Sequence, residues 1–398
     1  MNNLADKATE TLTQWVTFKL QKETYGVNVM DVQEVLREDV PGDELSRAEG
    51  FRHLTRALAC SMQQIIEYSD TERPSFHPNP SAAMRWGGDN PDNFYQHAAI
   101  DGSKTYRIRG KRGTVLDFII SASAAGPMES AATKERVQKK HEVNHELTSA
   151  DLDIAEDGSF ELIVGPRLPA DAGTQNWLKT SERTGFVTIR QYFCDWDTED
   201  AAEFYITCAE GEGTAPAPLT SRCMASRLDD VMVWVERRPY WTKMMKSGAD
   251  MMPPNSIHLL DSVRGGSAEI CYGIGYFDLQ DDECLLFEVK PPNARYWQIA
   301  LLNFWMESLD YGNHQSSLNK AQSFLDDDGY FRAVIAKHDP GVPNWLDTAG
   351  HSWGHIQFRW IWFDSKPEPR VQLLKHEQLH SVLPASHPQV SESERRSV

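Results

Sequence analysis

Three features of the sequence predict an α+β chain, with helical segments at the front and middle and short antiparallel strands elsewhere. Apolar residues recur at spacings of 3–4 within residues 10–38, 45–66 and 226–248, the period of a helix that buries one face. Between and after these stretches the apolar period drops to two, as on a half-buried strand. Gly and Asp turns, not helices, separate the strands, which favours a sandwich-like antiparallel core over a βαβ array.

Taken in order, residues 10–38 carry Trp15, Phe18 and Leu20, then Val32, Val35 and Leu36, at helical spacing. Pro41-Gly42-Asp43 is a start signal for a second helix, striped with Leu45, Phe51, Leu54, Leu58, Met62, Ile65 and Ile66. Arg73-Pro74 stops it, because proline lacks the N–H and clashes with the preceding turn. Residues 106–109 and 114–121 alternate and are separated by Gly110 and Gly113, which predicts a hairpin. The charged stretch 126–150, with Lys134, Glu135, Arg136, Lys139 and Lys140, reads as an exposed helix or loop. Asp157-Gly158 marks a tight turn, since glycine accepts positive φ, and leads into a strand at 160–164; 186–193 is another. The third helical stretch carries Leu228, Val231, Met232, Val235, Trp241, Met244 and Met245 and ends at the linker Met251-Met252-Pro253-Pro254-Asn255. Strands follow at 284–289, 296–304, 330–336 and 355–363, and the Ser-, Pro- and charge-rich tail after Leu383 reads as disordered. These signals divide the chain into a helical region 1–99, a mixed region 100–250, a β-sandwich domain 251–383 and a disordered tail 384–398. No internal repeat at a fixed period is visible.

Composition bounds the function. At 398 residues the chain is long enough for two domains or one large one. Its net charge of −18 argues against nucleic acid or an anionic membrane as partner, because neutralising phosphates takes clustered Lys and Arg. The six cysteines include no C-x-x-C pair, so no zinc ribbon or redox dithiol is indicated. No apolar run is long enough to span a bilayer, and residues 1–10 do not read as a signal peptide. A cytoplasmic protein with reduced thiols is the expectation, and a homo-oligomer is left open.

Familiar motifs are weak here. Gly273-Ile274-Gly275 lacks the third glycine of a dinucleotide fingerprint. Gly350-His351-Ser352-Trp353-Gly354 matches the nucleophile-elbow pattern, but the loop Asp339-Pro340-Gly341-Val342-Pro343-Asn344 precedes it and a strand follows, the reverse of an elbow's strand-turn-helix order. His351 and His355, four apart on an extended segment, would stand about 13 Å from each other, too far for one ion. His141 and His145 have better spacing, yet fall in the solvated charged stretch, and His376 and His380 lie near the C-terminus. Neither a metal nor a cofactor is expected.

The informative stretch is 291–362. It holds six of the 12 tryptophans, Trp297, Trp305, Trp345, Trp353, Trp360 and Trp362, interleaved with loop polar residues. Aromatic rings beside a few polar groups suit a cleft in which a flat apolar ligand stacks and is oriented. The candidate catalytic residues are His314, Glu307, Tyr311, Arg359 and Asp347; the candidate binding residues are Trp305, Trp345, Asn313, Asn344, Trp360 and His351.

The phrase from Asn303 through Trp305, Glu307-Ser308-Leu309-Asp310-Tyr311 and Asn313-His314-Gln315-Ser316-Ser317-Leu318-Asn319 resembles the DUF1214 family, often fused to or paired with DUF1254. So do Asp339 to His351, Glu49-Gly50-Phe51-Arg52-His53-Leu54-Thr55-Arg56, Gly88-Asp89-Asn90-Pro91-Asp92-Asn93, and Tyr106 to Gly113. The resemblance covers most of residues 45–365. It implies a jelly-roll-like β-sandwich at the C-terminus, preceded by a DUF1254-like helical-plus-β region. It also implies a bacterial role in the catabolism of aromatic compounds, including lignin-derived dimers.

Three functions compete. The first is a cofactor-independent enzyme on an aromatic small molecule, with a carbon–carbon lyase releasing formaldehyde as its most concrete form. That reaction needs a base for the alcohol proton, His314 or Glu307, and donors for the developing charge, Tyr311 and Arg359. A carboxylate beside tryptophan has its pKa raised by desolvation, which suits proton transfer near neutrality. The second is a non-catalytic module binding a hydrophobic or carbohydrate ligand. The third is a hydrolase using Ser352.

Overall fold

The computed structural model describes residues 15–20, 23–28, 43–124, 143–210, 213, 215–250, 252–260 and 267–395. Its first element corrects the expectation of a helix over 10–38. Trp15–Leu20 (β1) and Glu23–Asn28 (β2) pair as an antiparallel hairpin. Both segments alternate aromatic or β-branched with polar residues, and local β preference prevails over a weak 3–4 spacing. The rest of 10–38 lies outside the described residues.

Helix α1, Glu44–Met62, starts as the sequence signals: Asp43 caps it by accepting from Ser46 N–H at 2.8 Å. Its buried face is not the expected apolar stripe. Ser46, Glu49, Gly50, His53 and Ala57 face the protein, while Leu45, Phe51 and Met62 are exposed.

Among the described residues nine strands build a first sandwich: His77–Pro78 (β3), Asn93–Ala99 (β4), Tyr106–Lys111 (β5), Asp117–Ala124 (β6), Val143–Thr148 (β7), Ser159–Gly165 (β8), Trp177–Lys179 (β9), Thr184–Tyr192 (β10) and Glu203–Cys208 (β11). The sheets run β3-β4-β10-β6-β7 and β11-β5-β8-β9. Helix α2, Ser221–Asp250, follows and packs on α1 through Val231, Trp234 and Val235 against Ala57 and Cys60. Nine more strands build a second sandwich: Ser256–Leu260 (β12), Ile270–Asp278 (β13), Glu283–Val289 (β14), Ala294–Leu302 (β15), Ser317–Asn319 (β16), Phe331–Ala336 (β17), Trp345–Asp347 (β18), Trp353–Phe363 (β19) and Arg370–Lys375 (β20). Its sheets run β12-β13-β19-β15-β16 and β18-β17-β14-β20. The molecule is thus β-rich, with few helices.

The two sandwiches have one topology. In each, the large sheet orders its strands first, second, eighth, fourth, fifth, and the small sheet orders them ninth, third, sixth, seventh. In each, the sixth and seventh strands run parallel and the rest antiparallel. A sequence echo marks the same corner. Asp157-Gly158 with Phe160 answers Asp328-Gly329 with Phe331. Asp171, Gly173 and Asn176-Trp177-Leu178 with Thr180 answer Asp339, Gly341 and Asn344-Trp345-Leu346 with Thr348. The echoed residues do the same work. Trp177 Nε1–H donates to Gly165 O at 3.0 Å and Trp345 Nε1–H to Ala336 O at 2.9 Å. Asn176 and Asn344 each donate to a main-chain oxygen of the neighbouring strand, Glu161 and Arg332, both at 2.9 Å. An internal duplication is therefore present where the sequence shows no periodic repeat. Outside this corner a strand needs only alternating apolar residues, so the two copies drift apart freely.

Other expectations shift with this architecture. The predicted hairpin of 106–109 with 114–121 does not form: β5 and β6 sit in opposite sheets. Gly113, at φ 60°, turns the chain between them, where a Cβ would meet Asp200 O and Ala201 O at 2.6 Å. Within the charged stretch, residues 143–148 form β7; 125–142, including His141, lie outside the described residues. The boundary at residue 99 falls inside the first sandwich, between β4 and β5. Helix α3 (His376–Val382) precedes the tail expected to be disordered, and that tail is ordered through Arg395: it carries α4 (Glu392–Arg395), and Arg395 pairs with Asp339 at 2.6 Å.

Each sandwich has its own interior. Phe118, Phe160 and Phe204 stack edge to face in the first; Trp297, Phe287, Phe331, Phe358 and Trp360 fill the second. Gly273 leaves room for the Phe358 ring, which a Cβ would meet at 1.6 Å. The outer faces of the two large sheets turn toward each other and share Ile119, Tyr192, Ile270, Tyr296 and Ile361. Trp362 joins that seam rather than the interior of Trp360, because its positive φ of 52° breaks the strand's alternation. Among the described residues no helix is long and apolar enough to cross a membrane.

Candidate functional site

The richest concentration of buried polar groups lies where α1 docks on the second sandwich. The connection from β15 to β16 carries Asn303, Trp305, Glu307 and Ser308, all buried. Glu307 is fully buried. Its Oε1 accepts from His53 Nδ1 at 3.0 Å, and its Oε2 accepts from Arg56 at 2.8 Å, Arg52 at 3.3 Å and Asn303 at 3.3 Å. Burial pushes the Glu307 carboxyl up, but the His53 hydrogen bond and the Arg56 and Arg52 charges more than reverse this and hold it below its ordinary range. The Trp305 ring stacks on His53 with centroids 5.5 Å apart, and its Nε1–H donates to Ser46 O at 2.8 Å. On the next turn of α1, Glu49 accepts from His351 Nε2 at 2.9 Å and from Arg52 at 2.9 Å. Burial depresses the His351 imidazole, yet the Glu49 carboxylate prevails and raises its pKa.

Residues 85–92 extend this cluster. Gly88 N–H donates to Met306 O at 2.9 Å, and Asp89 accepts from Ser308 Oγ at 2.6 Å and from its N–H at 3.0 Å. Arg85 donates to Ser308 O and Leu309 O and lies 4.6 Å from the Tyr311 ring centre. Burial raises the Asp89 pKa and lifts Asp92 to about 6. Asp92 accepts from Tyr296 at 2.8 Å.

From Gly88 the polar seam continues between the two large sheets. Arg359, on the outer face of β19, donates to Gln298 Oε1 at 3.0 Å, Gln357 Oε1 at 2.7 Å and Gly88 O at 2.5 Å. Its charge lies 5.8 Å from the Tyr272 ring centre and acts on Tyr95. From the opposing sheet Arg190 donates to Ser121 at 3.1 Å, stands 4.0 Å from Glu146, and also acts on Tyr95. Tyr95 therefore falls under the influence of both guanidinium groups, one from each sandwich.

The sequence candidates divide. Glu307, Trp305 and His351 converge on α1, and Arg359 belongs to the adjoining seam. Tyr311 is half-buried under Arg85 at the seam's edge. The others lie elsewhere. His314 and Asp347 pair at 2.8 Å on an exposed edge of the second sandwich. Asn313 is exposed and donates to Asp310 at 2.8 Å. Asn344 and Trp345 brace the duplicated corner, and Trp360 is 1% exposed inside the sandwich. Ser352 is exposed on the loop before β19, and its main-chain oxygen accepts from Leu279 N–H. Site residues missing from the sequence candidates are Glu49, Arg52, His53 and Arg56 on α1, with Asp89, Tyr95 and Arg190. A signal existed: Glu49, Arg52, His53 and Arg56 recur at 3–4 spacing and so share one helix face.

Chemically, the cluster offers an imidazole oriented by a buried carboxylate. When His53 is neutral, donation from Nδ1 to Glu307 makes Nε2 its basic nitrogen. Among the described residues no group of three or more His, Cys, Asp or Glu is placed to hold a metal ion.

The family described as "Protein of unknown function (DUF1214)" matches residues 95–195, within the first sandwich, whereas the phrases at 303–319 and 339–351 lie in the second. The chain is similar to the crystal structure of an uncharacterized protein from Burkholderia cenocepacia, at 30% identity and a TM-score of 0.80, covering 88% of this chain and 94% of that one. It is also similar to the VPA0106 protein from Vibrio parahaemolyticus, at 12% identity and a TM-score of 0.47, covering 81% and 96% respectively. No curated protein matches. The chain belongs to the DUF1214 family.

Proposed function

We propose that this member of the DUF1214 family is an enzyme that binds an aromatic small molecule with an acidic group in the seam between the sandwiches, and moves a proton on it. Arg359 carries the reading. Arg359 is 4% exposed, its guanidinium hydrogen-bonds only neutral oxygens, and two of its five N–H donors make no hydrogen bond among the described residues. Asp92 acts on this buried cation only at a distance, and a ligand carboxylate or phenolate supplies a direct charge partner to the donors that remain. The Tyr272 and Tyr95 rings nearby suit a flat substrate.

His53 is the base in this reading, with Glu307 holding its tautomer. In a formaldehyde-releasing cleavage, His53 takes the proton of a hydroxymethyl O–H. The C–C bond then breaks, the hydroxymethyl carbon leaves as formaldehyde, and the electron pair left on the carbon beside the ring, its charge spread toward Arg359, takes the proton back from the His53 imidazolium. The test is incubation with phenolic dimers that bear a hydroxymethyl group, with formaldehyde and substrate loss both quantified. His53→Gln should lower kcat by about 100-fold or more. Arg359→Gln should chiefly raise KM. Turnover unchanged in both variants would sink the proposal.

A further inference from the structure

The duplicated corner is covered in one sandwich and open in the other. In the second, the chain's own tail lies over it. Val390 N–H donates to Gly341 O at 2.9 Å, and Arg395 pairs with Asp339 at 2.6 and 2.8 Å. Arg395 also donates to Val342 O at 2.7 Å and stands 5.3 Å from the Trp345 ring centre, and His387 meets Asp326 at 2.8 Å. By the shared register, Gly173, Asp171, Thr174, Trp177 and Ala155 are the matching positions of the first sandwich. Next to them a groove of about 890 Å3 is lined by Arg109, Asp153, Ala155, Glu161, Gly173 and Thr174 among others, with Asp171 and Trp177 outside that lining. Asp171 beside it is exposed and makes no ion pair among the described residues. The Trp177 face already draws Lys179 to 6.0 Å, as expected of a ring that attracts cations.

We propose that this groove docks an extended segment of a partner protein whose chemistry matches that of the tail. The segment offers a main-chain N–H to Gly173 O and an arginine to Asp171 and the Trp177 face. Ala155 stands where Asp326 holds His387, so the segment needs no histidine there. The charge complementarity and the register are those the molecule already uses for itself in the second sandwich.

The test titrates the full-length protein into a fluorescein-labelled peptide of residues 384–398, read by anisotropy. Saturable one-to-one binding is expected, weakened about fivefold by Asp171→Asn and unchanged by Asp339→Asn. Asp171 is exposed, so its variant keeps the fold. Absence of saturable binding overturns the proposal, and so does binding that Asp171→Asn leaves intact. Weakening by Asp339→Asn alone overturns it as well, because it reports exchange with the tail in the second sandwich.

Discussion

The two sandwiches share strand order, a parallel edge pair and a ten-residue corner, yet differ in what they carry outside the interior. The first presents Arg190, Tyr95 and Tyr192 from its large sheet and leaves its corner open. The second carries the same Arg–Tyr pair at the matching register, Arg359 with Tyr272 as Arg190 with Tyr95, but it alone buries Glu307 in the connection between its fourth and fifth strands and covers its corner with the tail. The difference teaches where packing ends and chemistry can begin. A feature that each copy satisfies within itself, such as the Asn-Trp-Leu corner, answers to the fold; the duplicated Arg–Tyr pair differs, because Arg190 and Arg359 both act on Tyr95 across the seam. A feature present in one copy, such as Glu307 with its ring of α1 side chains, answers to something else. By that rule Trp345 is a brace, because Trp177 makes the same indole hydrogen bond in the other copy.

The largest expected effect tests that rule. Trp177→Ala and Trp345→Ala should each destabilise the protein by about 2 kcal/mol in chemical denaturation, since each removes a half-buried ring and its indole hydrogen bond, while Gly165 O and Ala336 O keep the bonds from Thr180 and Thr348 N–H. Equality supports two braces. A Trp345→Ala variant of native stability that loses ligand binding would return Trp345 to the site.

A smaller effect separates the copies by pH. In the first sandwich, burial holds His77 at about 4, and burial with the His77 charge holds His97 at about 3. Their neutral forms are favoured by folding, while the unfolded chain takes up protons near 6.5. Stability is therefore lost as pH falls from 6.5 toward 4 and 3. In the second sandwich burial holds His355 at about 4, with the same sign, but His351 opposes it. Its folded pKa is raised, so its contribution is full below 6.5 and is lost as pH rises through the folded value. Hydrogen exchange at pH 7 and 4.5, corrected for intrinsic rates, should show β4 and β10 losing more protection on acidification than β13 and β19. Equal loss would break the contrast.

The smallest effect concerns the exposed edge. His314→Ala should change stability by less than about 0.5 kcal/mol, because the His314–Asp347 pair faces solvent. Turnover should be retained. A tenfold fall in turnover would move the working site from the seam to that edge.

Four strands of each sandwich (β5, β6, β8, β10 and β14, β15, β17, β19) were legible because alternation survives in a single sequence, while others, β4, β11 and β13 among them, were not; α1 was legible from its cap, though it ends at Met62, well before Arg73-Pro74. The first hairpin was not, because six-residue strands can mimic helical spacing. Glu307 and Arg359 stood out as polar residues among tryptophans. Their partners on α1 did not, because the side of a helix that faces the protein is ordinarily read from its apolar residues, and here that side is Glu49, His53 and their neighbours. The ordered tail was hidden by composition: Ser, Pro and charge look disordered until an arginine finds Asp339 and an indole face.

What the sequence by itself determined is local: four strands of each sandwich, the turns at Asp-Gly, the cap at Asp43 and family membership, all set by residues near one another in the chain. What only the tertiary structure decided is pairing across distance. Glu307 meets His53, Arg56 and Arg52, Arg359 meets Gly88, and the open corner meets its covered twin, because sheet packing brings together residues that no period in the chain relates.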